Sequence, residues 1–255
     1  MPILIKSPSD IERMRVAGAV VAAVHRRMAE LIEPGITTAE LDAEARQIIA
    51  DAGGTPSFLG YHGYPAAICA SVNEEVVHGI PSERSLKSGD IISIDVGAYI
   101  DGFHGDAAAT YPVGEIDSDV QELIDAAKRA FEAGVGVAVV GNRIGDVSAA
   151  IQASIEQSGF GIVRGYGGHG VGRRMHEDPS VLNYGTGGTG ARLQPGMTLA
   201  IEPMLTLGDH EVQELEDGWT VVTVDGKPAA HYEHTVLITD GKSELLTQFV
   251  EEMVY

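Results

Sequence analysis

Apolar residues recur at helical spacing in two matched stretches. Over residues 34–54, Leu41, Ala45, Ile48 and Ile49 form one stripe, and over residues 140–159, Ile144, Val147, Ile151 and Ile155 form another. Positions three, four and seven apart share one helix face, so each stretch predicts an amphipathic helix packed on a core. Thr38 before the first stripe and Gly53 after it predict the caps of that helix. Short β-like runs follow both stretches, Ile91-Ile92-Ser93-Ile94 in one case and Leu199-Ala200-Ile201 in the other.

These runs are written twice. LKSGDIISID ends at Asp95 and LQPGMTLAIE ends at Glu202; both read Leu-x-x-Gly, four residues, Ile and a carboxylate. DAAATYPVG starts at Asp106 and EHTVLITDG at Glu233; each opens on a carboxylate and closes on glycine. Internal repetition predicts two structurally equivalent units. The expected fold is α+β, with two pseudo-two-fold halves, about residues 1–114 and 115–255, fused in one catalytic domain across the polar stretch 114–119. Each half reads helix, helix, then strands with two carboxylates, and the halves are expected to pack as a pair of antiparallel sheets backed by helices. Between Asp95 and Asp106 lies Tyr99-Ile100-Asp101-Gly102, where Asp-Gly signals a tight hairpin. Such a hairpin lets both aspartates point to one face. One Asp pair is then expected to meet one Glu pair across the pseudo-axis.

Charge narrows the function. The chain carries a formal net charge of −20, which opposes binding to nucleic acid phosphates and anionic membranes. The acids are spread along the chain rather than gathered in a tail. One cysteine, Cys69, excludes an internal disulfide and suits a reducing, cytoplasmic setting. No targeting or membrane segment is expected, because the longest apolar run, residues 134–141, is far too short to span a bilayer.

Carboxylates inside apolar strands are costly unless paired or bound to cations. One such acid reads as a solvated edge residue; four at matched repeat positions do not. Asp95, Asp106, Glu202 and Glu233 are therefore candidate ligands of divalent ions, which relieve their mutual repulsion. His169, in GYGGHGVG, joins them, because its flanking glycines let the backbone come close. Nitrogen among oxygens suits Mn, Fe, Co or Zn better than Ca or Mg. Spacing alone leaves His78 and His176 open between a structural and a functional place. His25 reads as a surface position on a helix. His62, His104, His210, His231 and His234 read as ordinary polar or core residues, with a weaker supporting place for His104 and His231, each two residues from a candidate ligand.

Taken in order, NEEVVHGIP, SIDVGAYIDGFHGDAAATY, GGHGVG, MHEDP, IEPM and HYEHT resemble the type I methionine aminopeptidases over almost the whole chain. The resemblance implies the pita-bread fold and the short bacterial form without an N-terminal extension. It places the metal ligands at Asp95, Asp106, His169, Glu202 and Glu233, around two divalent ions drawn from Co, Mn, Fe and Zn. It makes His78 and His176 the active-site histidines, and Tyr61, Tyr64, Cys69 and Trp219 the pocket for a methionine side chain. Where the family commonly carries an aromatic residue, this chain has Met175, a softer pocket wall. The implied reaction removes N-terminal methionine from peptides and nascent proteins, preferably before a small second residue. In it, water held between the ions attacks the scissile carbonyl. Glu202 shuttles protons, and His78 and His176 position the peptide and stabilise the oxyanion, His176 as the main donor. The chain is expected to act as a monomer with no nucleic acid function. Any transient ribosome contact is expected at Arg13, Arg15, Arg26 and Arg27. The rival readings are a proline-specific peptidase of the same fold, and a non-catalytic binding protein that has lost its ligands.

Overall fold

Ser7 opens the first helix with a reciprocal cap: its hydroxyl accepts the Asp10 backbone N–H, while the Asp10 carboxylate accepts the Ser7 N–H. The structure, a computed structural model, describes residues 2–249, so residues 250–255 of the expected second half lie outside it. Four α-helices are described, α1 (Pro8–Leu31), α2 (Thr38–Asp51), α3 (Ser118–Val137) and α4 (Ile144–Ser158), with one 3-10 turn at Tyr61–Gly63. The cap of α2 is Thr37, one residue ahead of the expected Thr38. Thr37 has Glu40 three residues on to complete the box, whereas Thr38 has Leu41 and instead donates its hydroxyl to the Ser82 carbonyl.

The strands are β1 (Thr55–Pro56), β2 (Ile68–Val72), β3 (Glu75–Val77), β4 (Ile91–Ile100), β5 (Phe103–Pro112), β6 (Gly161–Ile162) and β7 (Gly167–Gly170), then β8 (Glu177–Leu182), β9 (Thr198–Ile201), β10 (Met204–Thr206), β11 (Val212–Glu214), β12 (Val221–Thr223), β13 (Ala229–Leu237) and β14 (Glu244–Leu245). The Asp101-Gly102 hairpin forms as expected. Both residues have positive φ, 50° and 85°, the combination that a two-residue turn matched to strand twist needs. The halves do not remain two sheets. β5 of the first pairs with β13 of the second, Ala108 opposite Glu233, and one antiparallel sheet of eleven strands runs β1-β4-β5-β13-β9-β7-β8 along its main path. Pairing across the junction satisfies backbone groups that two separate sheets would leave as open edges.

Each helix pair covers its own half of the sheet. Val21, Leu41 and Ile49 pack with Ile94 and Ala107, and Leu123, Phe131 and Ile151 pack with Leu199 and Val236. Tyr232 of β13 touches both clusters. His25 corrects the surface reading: it is 0% exposed. α1 packs against both β4 and β5 as well as α2, which covers more of it than one amphipathic stripe suggests. The His25 Nε2–H donates to the Ala107 carbonyl at 2.9 Å, so Nδ1 accepts the Tyr111 hydroxyl at 2.8 Å. Burial holds this imidazole down to about 4. No helix among the described residues is long and apolar enough to cross a membrane.

Two contacts fix the sheet face that carries Asp106. At Gly105 a Cβ would stand 2.9 Å from the Gly18 nitrogen, so α1 lies directly on β5 beside Asp106. At the other side, the chain ahead of α1 is tied down by Lys6. Its N–H donates to the Gly196 carbonyl at 2.8 Å and its ammonium to Glu177 at 2.7 Å, with side chains only 4% and 1% exposed. Glu177 follows His176 directly.

Gly105→Val is expected to lower unfolding stability by about 1–3 kcal/mol through overpacking, read by denaturant titration. Lys6→Met leaves a buried carboxylate without its partner and is expected to cost about 3–5 kcal/mol. Adding Glu177→Leu should recover part of that loss, measured by the same titration.

Candidate metal centre

Five neighbouring strands converge on one face. In the order β4, β5, β13, β9, β7 they carry Asp95, Asp106, Glu233, Glu202 (the first residue after β9) and His169. Asp95 opposes Ala108 and Asp106 opposes Gly97, which makes the aspartates diagonal neighbours on the same side. Glu233 opposes Ala108 from the other flank of β5. Ala108 thus sits between two carboxylates, and its single methyl leaves them room. The expected meeting of an Asp pair with a Glu pair is what this register produces.

The electrostatics call for a cation. The His169 Nδ1–H donates to the Gly170 carbonyl at 2.9 Å, so in the neutral imidazole Nε2 presents a lone pair. That lone pair faces Glu202 Oε1 at 3.5 Å and Asp106 Oδ2 at 3.6 Å. Facing acceptors repel unless a positive centre stands among them. Buried Asp95 Oδ1, Asp106 Oδ1, Glu233 Oε1 and His231 Nε2 have no hydrogen-bond partner. Burial raises the Asp95 carboxyl to about 7, opposed by His231 and assisted by Glu202. Asp106 and Glu233 are pushed well above the usual range, first by burial and then by the other carboxylates. Burial pushes Glu202 the same way, but His231, His169 and His176 around it more than offset this and hold it low. Donor atoms of Asp106, His169 and Glu233 lie within 4.8 Å of one another, as do those of Glu202, His231 and Glu233. Neither triad includes Asp95. An imidazole whose other nitrogen is fixed by a carbonyl, set among carboxylates, is a donor set that fits a divalent transition ion.

A cavity of about 160 Å³ opens above this floor. Pockets for drug-sized ligands run to about 300–1,000 Å³; this one suits a single side chain. It is lined by Tyr61, Tyr64, Cys69, His78, Asp95, Asp106, His169, Met175, His176, Glu202, Trp219 and Glu233, so every site residue anticipated in the sequence reaches one place. Cys69 opposes Asp95 in the β2–β4 ladder, which puts the apolar wall one strand from the first carboxylate. Burial pushes its thiol well up, so it stays neutral. Tyr64 and Trp219 meet edge to face at 5.1 Å. His78 sits at φ 62°, a conformation that non-glycine residues rarely adopt and that collects at functional sites. Burial depresses its imidazole. His176 stands at the cavity rim, its Nδ1 2.8 Å from the Tyr61 hydroxyl and its ring 4.1 Å from that of His169. The surrounding protein and the neighbouring His169 hold it down to about 4.

One residue near the centre was not placed there by sequence, and a second, His231, was given only a weaker supporting place. Phe58 lines the cavity three residues before Tyr61, and its clustering with Tyr61 and Tyr64 in a chain with 5% aromatics was a readable signal. His231 lies against Glu202 and Glu233, at 3.5 and 3.9 Å. His104 does not line the cavity; its Nδ1 pairs with the Ser57 hydroxyl at 2.8 Å. His62 is exposed, His210 is half-buried, and His234 is buried against Thr247.

The description of metallopeptidase family M24 matches residues 12–240. Methionine aminopeptidase 1 of Bacillus subtilis (strain 168) is 50% identical over 246 residues, covering 96% of this chain and 99% of that protein. Methionine aminopeptidase 1 of Mycobacterium tuberculosis (strain CDC 1551 / Oshkosh) is 49% identical, covering 95% and 94%. The crystal structure of methionine aminopeptidase from Thermotoga maritima superposes with a TM-score of 0.95 at 50% identity, covering 97% of this chain and all of that one. Prolidase from Pyrococcus furiosus shares the fold alone, with a TM-score of 0.78 at 24% identity over 66% of its length. Matched along nearly its entire length, this pita-bread chain belongs to metallopeptidase family M24, among the methionine aminopeptidases.

Proposed function

We propose that the chain is a metal-dependent aminopeptidase that removes the N-terminal methionine of peptides and nascent proteins, with a small second residue preferred. The observation that carries this is the His169 Nε2 lone pair facing two carboxylates on the floor of a cavity sized for one side chain. Asp95, Asp106, His169, Glu202 and Glu233 would hold the metal. Four carboxylates balance the charge of two divalent ions, which favours a dinuclear centre, and the single imidazole favours Co, Mn, Fe or Zn. When bound, such an ion supplies a Lewis acid that polarises a carbonyl and lowers the pKa of water.

The side chains divide the remaining work. Cys69, Met175, Tyr64, Trp219 and Phe58 enclose the methionine side chain, and their sulfur and ring atoms suit a thioether. Glu202, held as a carboxylate, takes a proton from the attacking water and passes it to the leaving amine. With the Tyr61 hydroxyl donating to its Nδ1, neutral His176 carries its proton on Nε2 and donates it to the developing oxyanion. His78, from its strained backbone position, supplies the second donor to the peptide. We place the enzyme in the cytoplasm as a monomer. Arg13, Arg15 and Arg27 are ion-paired to carboxylates, which weakens that cluster as a ribosomal contact.

With Co or Mn, Met-Ala-Ser should be cleaved to free methionine and an Xaa-Pro dipeptide should not; the reverse preference contradicts the reading. His176→Ala should lower kcat/KM by about 10²–10³-fold. Glu202→Gln should lower it by at least about 10²-fold. Both should keep the parent circular dichroism spectrum. Because Asp95, Asp106 and Glu233 have raised pKa values without metal, metal binding must displace protons, and affinity must rise with pH. The gain in melting temperature on loading should therefore be larger at about pH 8 than at about pH 6. An equal gain at both would contradict it.

A further inference from the structure

Glu202 is bracketed by two imidazoles. His169 Nε2 stands 3.5 Å from its Oε1, and His231 Nε2 stands 3.5 Å from its Oε2. The two histidines are not equivalent. His169 has its Nδ1 committed to the Gly170 carbonyl, so the nitrogen it turns to Glu202 is a lone pair. His231 turns to Glu202 a buried Nε2 that has no hydrogen-bond partner. Its other near neighbour is Glu233 Oε2 at 3.9 Å, another acceptor. A lone pair on this nitrogen would confront two carboxylate oxygens, whereas an N–H there meets the atoms it needs.

The backbone beneath His231 is fixed. Its N–H donates to the Thr110 hydroxyl at 2.8 Å, and that hydroxyl lies 3.0 Å from the His231 carbonyl and 2.8 Å from the Ser93 hydroxyl. His231 itself is 2% exposed. Strand alternation sends its side chain to the same face as Glu233, two residues on. The imidazole thus stands on a backbone held from both its N–H and its carbonyl by the Thr110 hydroxyl, in a place with no room to swing into solvent.

We propose that His231 is a positioning residue of the metal centre: its Nε2–H holds Glu202 Oε2 and thereby commits Glu202 to ligation through Oε1 alone. The contact at 3.5 Å is longer than a formed hydrogen bond, and the proposal requires it to shorten when metal is bound. The inference rests on the metal-centre reading given above. It goes beyond the five ligands by making metal affinity depend on a residue that does not touch the ion.

The test is calorimetric titration of Mn(II) into the metal-free parent, His231→Gln and His231→Leu. Glutamine keeps an N–H donor and leucine does not. Supporting-residue losses run to about 10–100-fold in metal affinity, so His231→Leu should weaken binding by that factor and His231→Gln by less than about 3-fold. Equal weakening in both variants, or none in His231→Leu, overturns the proposal. A parent that binds no Mn(II) overturns the metal-centre reading itself, and the variants then need not be measured. Should His231→Leu fail to fold, nitrogen-15 spectra of the Zn(II)-loaded parent decide the matter. A proton on His231 Nε2 supports the proposal, and an unprotonated Nε2, as direct ligation requires, overturns it.

Discussion

Four carboxylates on one sheet face, three of them buried and Asp95 half-buried, crowd one another, and the remainder of the site is organised by that crowding. Burial and the neighbouring carboxylates push Asp106 and Glu233 well above the usual carboxylate range, and a counter-charge would favour their ionised forms. Their unpaired oxygens, together with the His169 lone pair, mark where positive charge belongs. A divalent cation bound there would offset this cost and would supply Lewis acidity in a cavity that is also lined by thiol, thioether and aromatic ring.

The sheet makes this arrangement rigid. Each candidate ligand comes from, or directly follows, a different strand, and the five strands are consecutive neighbours. Strand pairing therefore sets the spacing of the donors, and the two helix pairs behind the sheet resist its bending. The pseudo-two-fold repeat explains why acids arrive in pairs: each half contributes one carboxylate from the run after Leu-x-x-Gly and one from the strand that closes the half. Joining β5 to β13 brings Asp106 and Glu233, the innermost pair, to adjacent strands.

Much of this was legible in the sequence because repeats and alternation are local signals. The hairpin at Asp101-Gly102, the stripes of α2 and α4, and the common face of Asp95 and Asp106 all follow from spacing. So did the conclusion that four acids in apolar strands need a cation. Other features were tertiary. Nothing in the sequence around His25 says that α1 is covered by two strands and a second helix. The fusion of the halves into one sheet depends on a pairing between residues far apart in the chain. Lys6 and Glu177 are 171 residues apart, and no local pattern announces their ion pair. Two signals were present but underweighted. Thr37, not Thr38, has the glutamate three residues on that completes a cap. His231 stands two residues before Glu233, and strand alternation alone puts both on one face. The roles of His78 and His176 came from family resemblance rather than from spacing, since a lone histidine in a loop has no periodic signature.

The most direct test is a crystal structure of the Zn(II)-loaded chain with anomalous data at the zinc edge. A zinc peak is expected about 2.0–2.2 Å from His169 Nε2 and from carboxylate oxygens of Asp106, Glu202 and Glu233, with a second peak beside Asp95. A peak elsewhere on the molecule, with His169 Nε2 left unligated, would contradict it.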